Sequence, residues 1–145
     1  IKRAAQCFDR VIVCVMVNSK KHGLFTPEER VELIRRVVQK LPNVEVDCSS
    51  GLLAEYARRR GATVIVKGLR ALSDFEYEFQ MALTNRKLYP EAETVFLTTA
   101  ADNMYLSSSL VKQVAGLGGH ISEFVPACIV PDIMKKIGRD EENDR

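Results

Sequence analysis

The sequence has no Trp and only two His, and its 145 residues carry a formal net charge of only +2. A charge this small argues against general nucleic-acid binding, which requires a strongly basic face. The longest apolar run, Val11 to Val17, has seven residues, whereas a membrane-spanning helix needs about 20. We therefore expect neither nucleic acid nor a membrane among the partners of this chain.

Cysteines are few and scattered, and no C-x-x-C pair occurs. The four are Cys7, Cys14, Cys48 and Cys128. A structural zinc site needs clustered ligands, and the two histidines do not complete such a cluster. We expect free thiols in a reducing, cytoplasmic compartment and no metal site built from protein ligands.

The common glycine-rich phosphate motifs are also missing. Neither a Walker A loop nor G-x-G-x-x-G occurs, which disfavours P-loop kinase and dehydrogenase functions. The length suits one compact domain with a core of its own. We expect that domain to cover residues 1–137. Residues 138–145 contain no large apolar side chain and are expected to form a polar tail.

The sequence does show a regular alternation of strands and helices. Four apolar, β-branched runs predict strands at residues 11–17, 44–48, 63–66 and 94–97. Helical spacing of apolar residues predicts helices over 1–9, 26–41, 52–60, 107–117 and 125–137, and one that starts at 73. This order predicts an α/β fold with a Rossmann-like, doubly wound parallel sheet in three α/β/α layers.

Local signals mark where some of these helices start. Thr26 and Glu29 form a capping-box pattern with a proline between them. Ser73 to Glu76 repeats the pattern and opens a helix with an apolar stripe along one side. The members of that side are Phe75, Phe79, Ala82, Leu83 and Arg86. Pro131 predicts that the last helix is kinked or starts late.

Polar segments follow three of the predicted strands at their carboxyl ends. The first strand leads into residues 18–23, the third into residues 67–70, and the fourth into residues 98–102. In open parallel sheets, ligands bind beyond these ends of the strands. We therefore expect the three segments to meet at one edge of the sheet.

The residue types in these segments suit phosphate. Lys21 and Lys67 supply point charges, and Arg70 supplies a planar fork for two phosphate oxygens. Gly68 allows the backbone to approach a ligand closely. Serines at 107–109 place hydroxyl and N–H groups at a helix start, where the dipole favours anions. Each group alone is also explained as a surface charge or a helix cap, so the prediction of phosphate binding rests on their convergence.

Three segments, in this order and spacing, resemble the bacterial phosphopantetheine adenylyltransferases of the nucleotidyltransferase superfamily. They read N-S-K-K-H-G-L-F-T-P-E-E-R at 18–30, V-K-G-L-R-A-L-S-D-F-E-Y-E at 66–78, and L-S-S-S-L-V-K at 106–112. The resemblance runs over residues 1–137. It implies that the chain is a single nucleotidyltransferase domain with the Rossmann-like fold of that superfamily.

The resemblance also implies an activity and its partners. The family transfers the adenylyl group of ATP to 4'-phosphopantetheine and releases dephospho-CoA and pyrophosphate, with Mg²⁺ held mainly by the substrate phosphates. The acceptor phosphate would attack the α-phosphorus in line, without a covalent enzyme intermediate, promoted by positioning and charge neutralisation. A cytoplasmic homohexamer in coenzyme A biosynthesis is implied as well.

Individual residues carry over by the same resemblance. Lys21 and Arg70 would act in catalysis, and the substrate would be bound by Lys21, Leu53 and Lys67. The implied ATP-binding positions are Gly68, Leu69, Arg70, Glu78, Asn103, Met104, Tyr105, Leu106, Ser107, Ser108 and Ser109. Lys67 stands where the family often has Arg, so that a single ammonium replaces a bidentate fork, and Leu106 stands where Ile is usual.

One family motif, T/H-x-G-H with its transition-state-stabilising His, has no counterpart in the sequence, since neither His22 nor His120 lies in the matching position. We expect it upstream of Ile1 together with a strand of the sheet, and so expect this sequence to be part of a longer protein. Two alternatives stay open. One is a non-catalytic nucleotide-binding module. The other is a related nucleotidyltransferase acting on nicotinamide mononucleotide or glycerol phosphate, against which the D-F-E-Y-E stretch argues.

Overall fold

The computed structural model describes residues 1–18, 23–70 and 72–138, without the side chains of residues 72–74 and 101. The strands are β1 (Val11–Met16), β2 (Val44–Ser49), β3 (Val64–Leu69) and β4 (Glu93–Thr98). The helices are α1 (Lys2–Cys7), α2 (Pro27–Val38), α3 (Leu53–Arg60), α4 (Leu72–Leu88), α5 (Ser108–Gly116) and α6 (Val130–Ile137). Strands and helices alternate along the chain, which confirms the predicted α/β class.

The chain divides into two compact units. One contains Ile1–Cys48 and Leu106–Arg145 and is called the terminal unit, and the other, Ser49–Tyr105, is called the central unit. β1 pairs with β2, and β3 pairs with β4. The single domain expected over residues 1–137 remains a prediction. So does the polar tail, of which residues 139–145 lie outside the described residues.

In the terminal unit, helix α2 follows its sequence signals closely. The N–H of Glu29 donates to Oγ1 of Thr26 at 3.2 Å, and the N–H of Thr26 donates to Oε2 of Glu29 at 2.8 Å. The predicted capping box is therefore confirmed. The apolar face of α2 packs on the two strands of this unit, as an amphipathic helix requires. The buried cluster consists of Val15, Val31, Val38 and Val46.

Helices α5 and α6 form a second cluster in the terminal unit. A 3₁₀ turn at Ala127–Ile129 precedes α6, and Pro131 lies in the first turn of that helix. The late start that Pro131 predicts is confirmed, because a proline is tolerated only where its missing N–H is not needed. The buried members of this cluster are Val111, Ala115, Ile121 and Ile133.

Two ion pairs join α6 to α2. Oδ1 of Asp132 lies 2.8 Å from Nη2 of Arg36, and Oε1 of Glu29 lies 2.7 Å from Nζ of Lys136. The hydrogen bond from Arg36 lowers the pKa of Asp132, and the hydrogen bond from Lys136 lowers the pKa of Glu29. These charges therefore serve the packing of α6 on α2.

In the central unit, β3 and β4 pair in parallel, with Lys67 opposite Phe96 and Leu69 opposite Thr98. β3 therefore extends to Leu69, and the end predicted at residue 66 is wrong. Lys67 and Gly68 have little intrinsic preference for a strand, and pairing with β4 holds them extended. The predicted site residues 67–69 thus lie in the strand itself rather than in the loop after it.

Helix α4 packs against β3, β4 and α3, but its inward side is not the apolar stripe of its sequence. The inward, buried or half-buried positions are Glu78, Met81, Ala82 and Asn85. Of the residues in that stripe, Ala82 lies inward, whereas Phe75, Phe79 and Leu83 are 41%, 46% and 55% exposed. Phe75 is exposed only in part, because its ring also packs against Phe96 of β4. The helix starts at Leu72, so Ser73, predicted as its cap, lies inside it, and the Ser73 side chain lies outside the described residues.

Helix α3 supplies much of the core of the central unit. The buried cluster consists of Ala54, Ala57, Ile65, Tyr89 and Ala92. In the last turn of α3, the Arg58 guanidinium donates to the carbonyl of Leu88 and lies 5.0 Å from the centre of the Tyr89 ring. Arg59 lies 5.4 Å from the Tyr56 ring. The basic end of α3 is therefore engaged in packing, where cations also favour the helix C-terminus.

Candidate functional site

A cavity of about 260 Å³ opens at the carboxyl end of β1, in the terminal unit. Its lining comes from the end of the strand and the start of α2, namely Met16, Val17, Asn18, Gly23, Leu24, Phe25, Thr26, Pro27 and Arg30. Asn18 and Gly23, the two ends of the first predicted phosphate segment, are part of this lining. Lys21, the residue predicted to bind the acceptor phosphate, lies outside the described residues, as does His22.

Arg30 of α2 adds a cation to the wall of this cavity and was not among the predicted site residues. A methyl group added at Gly23 would collide with the Arg30 guanidinium. The missing side chain at Gly23 therefore lets Arg30 lie close to the backbone. A guanidinium has five N–H donors, which suits an anionic group. The signal in the sequence is a glycine ahead of the α2 cap, and it becomes informative only when the fold brings Arg30 to it.

The serines predicted as an anion site lie at the start of α5, also in the terminal unit. Ser107 caps the helix, and its Oγ accepts a hydrogen bond from the N–H of Leu110 at 3.1 Å. Ser108 and Ser109 are exposed in the first turn, and Leu106 is half-buried. Ser107 thus has the ordinary role of a helix cap, while the first turn keeps the polarity that favours anions.

In the central unit, two predicted site residues contact each other. Nζ of Lys67, on β3, lies 3.1 Å from Oε2 of Glu78, on α4. The side chains are 32% and 23% exposed, respectively. The ion pair therefore links the strand to the inward side of the helix, at a depth where solvent screens it only in part.

The carboxyl ends of β3 and β4 adjoin. The N–H of Thr99 donates to the carbonyl of Leu69 at 2.8 Å, one step beyond the last paired residues. Arg70 follows Leu69 directly and is exposed. Apart from Gly68 and its two chain neighbours, no atom of the described residues lies within 4 Å of where a Cβ at Gly68 would be, and the sequence predicts close approach of a ligand here. Two of the three predicted segments are therefore neighbours.

The chain continues from β4 into an exposed turn. A 3₁₀ turn covers Ala101–Asn103, and the N–H of Asn103 donates to the carbonyl of Ala100 at 3.0 Å. Met104 and Tyr105 follow and are 55% and 61% exposed. An exposed aromatic ring here offers a surface on which a nucleobase can stack.

Leu53 has a structural explanation of its own. It is the first residue of α3, is half-buried, and packs against the core cluster of the central unit. Its predicted contact with the acceptor substrate remains a prediction.

The predicted site residues are thus distributed over both units. The central unit contains Leu53 and the residues from Lys67 to Tyr105, while the segments at 18–23 and 106–109 belong to the terminal unit. A single site built from all of them remains a prediction.

Two absences hold for the part of the chain that the structure describes. No three His, Cys, Asp or Glu side chains come together there in a way that could hold a metal ion. No helix there is both long and apolar enough to cross a membrane.

Comparison with known proteins places the chain in a family. The family model described as cytidylyltransferase-like matches residues 1–114. A phosphopantetheine adenylyltransferase of Alkaliphilus metalliredigens is 60% identical over 136 residues, which are 94% of this chain and 87% of that protein. A phosphopantetheine adenylyltransferase of Clostridium botulinum is 56% identical over 142 residues, 98% of this chain and 87% of that protein.

The chain belongs to the cytidylyltransferase-like family, among the phosphopantetheine adenylyltransferases. The family resemblance stated from the motifs is thereby confirmed. Membership agrees with the alternating strands and helices and with the parallel pairing of β3 and β4, so the Rossmann-like α/β fold class is confirmed as well.

Proposed function

We propose that this protein transfers the adenylyl group of ATP to 4'-phosphopantetheine, giving dephospho-CoA and pyrophosphate in coenzyme A biosynthesis. Relatives with the name phosphopantetheine adenylyltransferase, 60% and 56% identical, support the proposal. The structural observation that carries it is the junction of β3 and β4. There, Lys67 and Arg70 lie on one strand end, and the exposed turn at 101–105 continues from the other. This junction offers cations for phosphates and an aromatic surface for a base.

The cations bind different phosphate groups in the reaction. Arg70 holds the phosphates of ATP, because a guanidinium grips two oxygens and neutralises the charge that develops on the leaving pyrophosphate. Lys67 holds the acceptor phosphate, so that its oxygen attacks the α-phosphorus in line. The family resemblance implies the same partner for Lys21, which lies outside the described residues. The first turn of α5 offers further N–H donors to phosphate oxygens. Mg²⁺ would be held by the phosphates themselves and would add charge neutralisation.

Pyrophosphate release tests this proposal directly. The protein is supplied with ATP, Mg²⁺ and, in separate reactions, 4'-phosphopantetheine, nicotinamide mononucleotide or glycerol phosphate. We expect pyrophosphate release only in the reaction that contains 4'-phosphopantetheine as the acceptor. Release with nicotinamide mononucleotide but not with 4'-phosphopantetheine would contradict the proposed acceptor. Calorimetric binding of ATP without release for any acceptor would indicate a non-catalytic nucleotide-binding module.

We also propose that the protein works as a cytoplasmic homohexamer. The support for assembly is the apolar stripe of α4, Phe75, Phe79 and Leu83, which is about half exposed although isolated subunits seldom leave such patches open. The four free thiols fit a reducing compartment.

Sedimentation equilibrium tests the assembly. The unaltered 16.3 kDa chain should sediment as six copies, and Leu83→Glu should shift it to smaller species with an unchanged circular dichroism spectrum. Thr84→Glu places the same charge at an exposed neighbour outside the stripe and serves as the control. Equal behaviour of both variants would argue against the stripe as a contact surface.

A further inference from the structure

Glu78 faces inward on α4, at a place where a helix packing on a sheet usually has an apolar residue. Its side chain is 23% exposed and its Oε2 is shielded from solvent. A shielded carboxylate oxygen is costly unless an opposite charge compensates it. The Lys67 ammonium, 3.1 Å away, supplies that charge. The contact is one of charge rather than a well-directed hydrogen bond.

The neighbouring contact fixes where Glu78 lies. Phe75, one turn earlier on α4, packs edge-on against Phe96 of β4, with 6.1 Å between the ring centres. Phe96 is the register partner of Lys67 on β3. The first turns of α4 therefore contact both strands side by side, through an aromatic pair and an ion pair.

We propose that Glu78 is a positioning residue, which acts through Lys67 by holding its ammonium ready for the acceptor phosphate. This inference rests on the proposed function and goes beyond the ATP contact that the family resemblance implies for Glu78. Lysine has a long flexible stem and three N–H donors, unlike the rigid fork of arginine. One direction of the ammonium faces Glu78, and the others remain for phosphate oxygens.

The expected size of the effect follows from side-chain ordering. Immobilising a flexible side chain on binding weakens affinity by about three- to tenfold. Because the ion pair with Glu78 already orders the Lys67 side chain in the free protein, ligand binding does not have to order it. The carboxylate also carries a charge of the same sign as phosphate, so a carboxylate that merely competed for Lys67 would have the opposite effect. The two effects differ in sign and can be separated.

The test is calorimetric binding of 4'-phosphopantetheine in the absence of ATP, so that no nucleotide contact contributes. Glu78→Gln keeps the shape of the side chain and removes its charge. We expect Glu78→Gln to raise the acceptor Kd about three- to tenfold, and Glu78→Asp, which keeps the charge on a shorter stem, to fall between. Glu76→Gln, an exposed carboxylate on the same helix, is the control and should change Kd less than about twofold.

A Lys67→Met background separates positioning from general damage. There, Glu78→Gln should have no further effect on the acceptor Kd, because the side chain it acts through is gone. Additive losses in the double variant, an unchanged Kd, or tighter binding in Glu78→Gln would each overturn the inference. Thermal unfolding of every variant identifies any that fails to fold, in which case Glu78→Asp decides by the same criterion.

Failure of this inference is distinguishable from failure of the proposed function. If the unaltered protein releases pyrophosphate with 4'-phosphopantetheine but its acceptor Kd ignores Glu78→Gln, the proposed function stands and the positioning role is wrong. If the unaltered protein neither binds nor adenylates 4'-phosphopantetheine, both are wrong.

Discussion

Helices α2 and α4 have the same place in the chain, each joining two paired strands, yet they use their faces in opposite ways. α2 buries Val31 and Val38 against the two strands of its own unit, and its charged Glu29 and Arg36 form ion pairs with α6. α4 turns Glu78 and Asn85 inward and leaves Phe79 and Leu83 about half exposed. The sequence of α2 is thus accounted for by packing within its unit. We propose that the sequence of α4 meets two further demands, the positioning of Lys67 on the inward side and subunit assembly on the outward side.

Replacing one leucine by alanine on each helix has the largest expected effect and tests the difference between them. Leu33→Ala should lower the free energy of unfolding by about 2–5 kcal/mol, because it opens a cavity in a buried face. Leu83→Ala should change it by less than about 0.5 kcal/mol, because Leu83 is exposed within its unit. Urea unfolding at low protein concentration, where subunit association contributes least, measures both. Similar losses for the two variants would contradict the contrast between the helices.

Charges allow the second comparison, between the end of β3 and the outer face of α2. Arg70→Ala should reduce turnover by about 10- to 100-fold, since a hydrogen bond to a charged group contributes about 1.5–3 kcal/mol. Lys21→Ala is expected to act in the same direction. Arg35→Ala, which removes an exposed guanidinium from α2, should leave the rate within about twofold.

Pyrophosphate release, with folding followed by circular dichroism, measures these rates. A near-normal rate for Arg70→Ala, or a large loss of rate for Arg35→Ala, would contradict the catalytic role proposed for Arg70 at the end of β3.

The smallest expected effect is a response to acid in the ion pairs of α2 and α6. The pKa of Glu29 is lowered from its ordinary 4.5 and that of Asp132 from its ordinary 3.8. A lowered pKa means that the folded state holds its proton less tightly than the unfolded state. The contribution to stability is therefore complete above these ordinary values and is lost as the pH falls through the lowered ones.

Urea midpoints of the unaltered protein and of the Glu29→Gln, Asp132→Asn double variant measure this response. The two midpoints should differ slightly at neutral pH and converge below about pH 4. A gap that stays constant into acid would show that these ion pairs contribute no pH dependence.

Features set by local sequence were predictable, and features set by distant contacts were not. The α2 cap depends on residues three apart, so the pattern at Thr26 and Glu29 was enough. The end of β3 depends on hydrogen bonds to β4 some thirty residues later, and Lys67 and Gly68 alone gave no sign of it. Periodicity assigns the apolar side of a helix to the core. In α4 this assignment fails at Glu78, which lies inward because it pairs with Lys67 of β3.

The site residues show the same division. The rule that ligands bind beyond parallel strands predicts a role for Arg70 and residues 98–102, whereas Asn103, Met104 and Tyr105 are predicted only by the family resemblance. The pairing of Lys67 with Glu78 and the approach of Arg30 to Gly23 are contacts between elements, which no spacing in the sequence encodes.

The division of the chain into two units has a spectroscopic consequence. All four cysteines belong to the terminal unit, and three of them are exposed. All four tyrosines, at positions 56, 77, 89 and 105, belong to the central unit, and no tryptophan masks their emission. Natural tyrosine fluorescence therefore reports on the central unit alone, while a thiol-reactive dye reports on the terminal unit alone. The unaltered protein thus gives a separate optical signal for each unit. Comparing the two signals tells whether the terminal and central units unfold together, and whether both respond to nucleotide.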